Sequence, residues 1–153
     1  KSETPEHDLM LIEIGKWFSK NKHTEAYLTE NILQSNSYYR EHQSFSHFVN
    51  IKSDAFLDLS FKGDKYKVAV EYENSQKAFK RYEKLVSEYY LSSQVDIIFY
   101  FFKDESIKKA ISKIEKNNWI KFQPKFYFFQ IKNENDLLGK ITLTNHKGNS
   151  VII

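Results

Sequence analysis

Carboxylates at alternate positions of two neighbouring segments carry the chemistry this sequence suggests. In residues 54–61, Ala55, Leu57, Leu59 and Phe61 alternate with Asp54, Phe56, Asp58 and Ser60, a period of two that predicts a strand. Lys62-Gly63-Asp64-Lys65 supplies a turn, and residues 66–73, rich in Val and Tyr, predict a second strand, so the pair reads as a hairpin. With a two-residue turn at Gly63-Asp64, Lys62 faces Lys65, Asp54 comes opposite Glu73, and Phe56 comes opposite Glu71. Asp54, Asp58, Glu71 and Glu73 then project from one face. Directly opposed side chains on such a face sit about 5 Å apart at Cβ and diagonal ones roughly 7–8 Å. A slip of one residue would turn one strand's carboxylates away from the other's.

Several carboxylates on one face repel, and each resists ionisation beside the others. A divalent cation offsets that repulsion, and oxygen ligands suit Mg2+ or Mn2+. The competing reading is a solvent-facing strand with scattered charges. Residue types and spacing leave Asp54 and Asp58 as rivals, because both lie diagonal or opposite to the glutamates. Just beyond, Ser75 is expected to cap a helix running to about residue 91. Its first amides would lie near the acidic cluster, where they could hold a phosphate. Lys77 falls in the first turn, with Arg81 and Lys84 further along. These are the candidate DNA-binding cations, with a solvated helix face as the alternative.

The elements that must position these groups follow from the same patterns. Residues 8–21 predict a helix with Leu9, Leu11, Ile12, Trp17 and Phe18 as its apolar face and Thr4-Pro5 as its start. Residues 26–29 read as a short strand and 30–33 as a turn; 35–43 read as a polar loop. In the helix after the hairpin, Ala78, Phe79, Tyr82, Leu85, Val86 and Tyr89 form a core stripe, which assigns Tyr82 and Tyr89 to packing. Residues 95–102 are nearly all apolar, as expected of a central strand covered on both faces beside the strand that carries Glu71. A lysine-rich helix over 106–117, a strand over 125–131 and a terminal hairpin around His146-Lys147-Gly148 complete the chain. The fold class is α/β, a mixed central sheet flanked by helices.

Composition narrows the classes further. The chain has 153 residues, 41% of them hydrophobic, which fits one domain over residues 1–153 with a real core. Four Gly and two Pro leave little room for disordered linkers, and the absence of cysteine excludes disulfides and thiolate metal sites. A reducing, cytoplasmic setting is expected. The longest apolar run, 97–102, is too short to span a bilayer, and the polar start is no signal peptide. Lys1 in place of an initiating Met is taken as the mark of a processed chain or an excised domain. A net charge of +3 is compatible with nucleic acid without demanding it. The histidines have no metal-ligand spacing; His47 is the one nearest the acidic strand.

The string Ser53-Asp54-Ala55, the Gly-bearing turn, Val70-Glu71-Tyr72-Glu73-Asn74-Ser75-Gln76-Lys77, then Lys80-Arg81-Tyr82 and Tyr89, resembles the nuclease-like domain of replication-relaxation proteins. Those proteins are associated with plasmids and mobile elements and fall among the PD-(D/E)xK nuclease-like folds. The His7-Asp8-Leu9 helix start is similar to theirs, so the likeness runs over residues 7–102. It implies a restriction-endonuclease-like core and Mg2+- or Mn2+-dependent hydrolysis of DNA. Asp54, preferred over Asp58, would join Glu71 and Glu73 as metal-binding and catalytic residues. Glu13 is a further candidate ligand, as in resolvase-like members. Ser53 stands where the proline of the motif would be, and Glu73 stands where its lysine would be. Lys77 would take over as the catalytic cation, as in lysine-migrated members. The implied partners are DNA and a DNA-binding domain or partner protein of a replication or mobilisation complex. The alternative is a catalytically inactive module of the same fold that binds DNA or protein.

Overall fold

The computed structural model describes residues 4–153. The chain opens with α1 (Pro5–Lys20), started by Pro5 in its first turn and by the Thr4 hydroxyl accepting from the His7 N–H at 3.2 Å. β1 (Thr24–Thr29) follows, then three short helices, α2 (Glu30–Ser35), α3 (Ser37–Glu41) and α4 (Ser46–Ile51). The hairpin is β2 (Ala55–Phe61) and β3 (Asp64–Glu73). Then come α5 (Phe79–Leu91), β4 (Ile97–Phe102), α6 (Glu105–Asn118), β5 (Phe126–Gln130), a 3-10 turn, and the terminal hairpin β6 (Thr142–Thr144) and β7 (Ser150–Ile152).

All seven strands form one mixed sheet in chain order, β1 to β7. β3, β4 and β5 run parallel, with α5 and α6 as the crossovers, and the flanking pairs are antiparallel. β4 is central, as its apolar run predicts. Its side chains alternate between two cores. Ile98, Tyr100 and Phe102 face α5 and α6, and Phe99 and Phe101 face α1. Phe18 of α1 stacks on Phe99 at a centroid distance of 6.2 Å. Each such fully buried large side chain contributes about 1.5–3 kcal/mol by leaving water. The same parity assigns the faces of β3: Val68, Val70 and Tyr72 go with α1, and Ala69 goes with α5. Glu71 and Glu73 therefore stand on the α5 side.

Four local expectations are corrected. The hairpin turns at Lys62-Gly63, because Phe61 pairs with Asp64. Both corner residues have positive φ, 51° and 83°, as a type I′ turn demands, and glycine takes the second corner without a Cβ penalty. The polar stretch 35–43 contains α3 rather than a continuous loop. Leu9 and Ile12 lie on the exposed side of α1, while His7, Ile14 and Phe18 are buried. Finally, α5 begins at Phe79 rather than after Ser75; the N-cap Ala78 is extended and makes no side-chain cap bond. Among the described residues no helix is long and apolar enough to cross a membrane.

Candidate acidic site

Moving the turn by one residue changes every pairing but preserves parity within the ladder. Ala55 now pairs with Val70, so Asp54, one residue before β2, comes next to Glu71 rather than Glu73. Asp58 pairs with Lys67, and its Oδ2 lies 3.0 Å from the lysine ammonium. That cross-strand ion pair holds Asp58 at the turn end of the hairpin and leaves Asp54 as the aspartate at the glutamate end.

Asp54 closes an account left open by the short β2. Tyr72 runs past the last ladder pair, and its backbone N–H and C=O need partners once β2 has ended. The Asp54 Oδ2 accepts from the Tyr72 N–H at 2.9 Å, and the His7 Nε2–H donates to the Tyr72 carbonyl at 2.8 Å. The same His7 nitrogen lies 3.7 Å from Asp54 Oδ2. Asp54 opens onto a groove toward α1 lined by His7, Tyr27 and Glu30.

Glu71 and Glu73 line a separate cleft of about 160 Å3 with Arg81, Lys84, Tyr82 and Tyr100. The Ser53 hydroxyl and the Tyr89 hydroxyl are 2.6 Å apart, and Tyr89 in turn donates to Glu71 Oε2. The Tyr82 hydroxyl donates to Glu73 Oε1 at 3.4 Å and accepts from the Lys77 backbone N–H at 2.8 Å. That bond consumes an amide expected to face a phosphate, and the stretch before Phe79 offers no helix terminus. The Lys77 ammonium folds back to 3.9 Å from Glu73 Oε2 and 3.1 Å from Ser75 Oγ.

Three carboxylates act on one phenol. Burial, then Glu73 and Glu71, then Tyr82 and Asp54, push the Tyr100 hydroxyl well above its ordinary pKa. Burial and Glu71 do the same for Tyr89, and burial, with Glu73 adding to it, pushes Tyr82 up to about 12. These phenols stay protonated, and Tyr82 and Tyr89 act as donors to Glu73 and Glu71. Asp54, Glu71 and Glu73 are 3%, 2% and 6% exposed, so the acids sit inside the fold rather than on its rim. Among the described residues no set of three His, Cys, Asp or Glu side chains is grouped to hold a metal ion.

Two other candidates lie elsewhere. Glu13 pairs with Lys16 at 3.6 Å on the outer side of α1. His47 is 2.5 Å from the Ser92 hydroxyl, at the junction of α4 with the end of α5. His7, Ser53, Tyr82 and Tyr89 are named from the sequence without their hydrogen-bonding roles, and Tyr100 is not singled out there. The available signal was hydroxyl-bearing Tyr on a buried stripe, since a buried phenol needs a hydrogen-bond partner.

No protein-family model, no curated protein and no solved structure matches this chain.

Proposed function

We propose that this chain is a DNA-acting domain with a PD-(D/E)xK-type, restriction-endonuclease-like core, of the kind found in replication or mobile-element proteins, and that it hydrolyses phosphodiester bonds with Mg2+ or Mn2+. The observation that carries the reading is the Lys77 ammonium 3.9 Å from Glu73 Oε2 in the cleft that Glu71, Glu73, Arg81 and Lys84 line, with Asp54 bonded to the N–H of Tyr72 between the two glutamates. The parallel β3–β4 pair and its α5 crossover, with the acids at the end of β3, are consistent with that core.

The donor chemistry fits a hard cation. Mg2+ keeps several waters and is commonly held by one or two carboxylates together with substrate phosphate, so no three-residue protein cage is needed. Glu71, and Asp54 bonded to the neighbouring Tyr72 N–H, would hold it. A cation there supplies Lewis-acid polarisation of a phosphoryl oxygen and a more acidic water. Glu73 holds Lys77 in place, and the Lys77 ammonium stabilises charge that develops on the phosphate. Arg81 and Lys84, on the same cleft, contact the flanking backbone.

One observation favours the second reading, a catalytically inactive module that binds DNA or a partner protein: Glu71 is buried and engaged by Tyr89. Calorimetric titration with Mn2+, paired with cleavage assays on single-stranded, duplex and branched DNA, decides between the two. Saturable Mn2+ binding and cation-dependent cleavage support the enzyme. DNA binding with neither of these supports the module.

A further inference from the structure

At the β7 edge of the sheet, opposite the β1 edge, α6 and the β6–β7 turn line a groove of about 550 Å3. Lys108, Lys109, Lys113 and Lys116 line one wall, with Glu105 as the groove's carboxylate. None of these lysines makes an ion pair among the described residues. The opposite wall is a fixed turn. Buried Asn145 accepts through Oδ1 from the Lys147 N–H at 3.0 Å and the Asn149 N–H at 3.1 Å, and Gly148 takes a φ of 86°. Ser112 and His146 also line it, their Oγ and Nε2 buried beneath its surface. Four lysines against the single carboxylate of Glu105 make the groove cationic, which suits a polyanion.

We propose that this groove binds the phosphate backbone of duplex DNA, at a surface separate from the acidic site. The inference goes beyond the acidic site and does not need its chemistry. Lys108, Ser112 and Lys116 recur at i, i+4 and i+8 along α6, a row of about 12 Å at 1.5 Å per residue. One strand of B-DNA presents a phosphate about every 3.4 Å of axis, so the row faces roughly three or four phosphates. The exposed large apolar side chains of the molecule, such as Leu91, Phe122 and Leu138, lie outside the groove. That lining suits a polyanion better than a protein hot spot or an inserting membrane surface.

The test is fluorescence anisotropy of the full chain with a labelled DNA duplex in EDTA, across a salt series. EDTA silences any cation-dependent chemistry, so failure of the hydrolytic reading leaves this measurement intact. The triple variant Lys109→Ala/Lys113→Ala/Lys116→Ala replaces solvent-facing side chains. It should bind about tenfold or more weakly, and its slope of log K against log salt should be shallower by about 0.9 per lysine removed. The corresponding triple arginine variant should retain both, and Lys113→Glu alone should weaken binding. Absence of wild-type binding would overturn the proposal. So would an unchanged affinity and slope in the alanine variant, or tighter wild-type binding to phosphatidylserine vesicles than to duplex.

Discussion

The ammonium of Lys77 and the carboxylate of Glu73 meet at 3.9 Å although the residues between them are not helical. On the proposed hydrolytic reading, this contact supplies a cation beside Glu73. Lys77→Ala should therefore lower the single-turnover cleavage rate by on the order of 10²-fold, as expected for a positioned catalytic group. Equal rates for the variant and the wild type would make Lys77 a surface residue.

Asp54 has a structural duty besides any chemical one. Asp54→Ala leaves the buried Tyr72 N–H without its acceptor and should destabilise the fold by about 1–3 kcal/mol. Urea denaturation should give a lower midpoint at unchanged m-value. Asp54→Asn keeps a side-chain oxygen for that bond, so it is the variant in which to read chemistry. Together with Glu71→Gln, it should abolish cation-dependent cleavage with the fold retained, as checked by circular dichroism.

Glu115 on α6 is fully buried, and its carboxylate accepts from the Tyr90 hydroxyl at 2.5 Å. Burial is the main cause that pushes its pKa up from 4.5 to about 7. The folded state thus holds this proton more tightly than the unfolded chain does. The resulting stability is fully present below pH 4.5, falls as pH rises toward 7, and levels off above that. Glu115→Gln should flatten the window, leaving the variant more stable than wild type at pH 8 by on the order of 1–3 kcal/mol. Thermal melts from pH 4 to pH 8 check the sign. A wild type whose stability rises across that window, relative to the variant, would refute it.

The hairpin corner offers a paired test of register. Gly63→Ala puts a Cβ at φ 83° in open space, so strain alone should cost about 1–2 kcal/mol. Lys62→Asn places a residue favoured at the first corner of a type I′ turn and should raise the melting temperature. Opposite shifts from neighbouring substitutions would confirm where the chain turns.

The strands were legible because alternation is a local signal. A turn placed one residue along moves each pairing by two positions and preserves parity within the ladder, but Asp54 precedes the first ladder pair and opens toward α1, while Glu71 and Glu73 stand on the α5 side. Preference for Asp54 over Asp58 rests on resemblance; Asp58 pairs with Lys67 at 3.0 Å near the turn. The helices α3 and α4 were not legible, because five or six residues complete fewer than two turns and display no period. The start of α5 was misread because Ser75 has the chemistry of a cap, while a contact from Tyr82 to the Lys77 amide holds the segment extended. Tyr82 and Tyr89 are core as the stripe predicts; a buried phenol needs a partner, but the pattern does not say that the partners are Glu73 and Glu71.

The sheet has a consequence for how the molecule is made. Its strands stand side by side in the order in which they are synthesised. Each new strand adds to the edge left by its predecessor, and no early strand waits for a distant segment to fill a gap. Ladder contacts are therefore short in sequence for a seven-stranded mixed sheet, which favours fast folding and brief exposure of unpaired edges. Pulsed hydrogen exchange during refolding should show the β2–β3 amides protected no later than those of β6–β7; the reverse order would contradict growth from the hairpin outward.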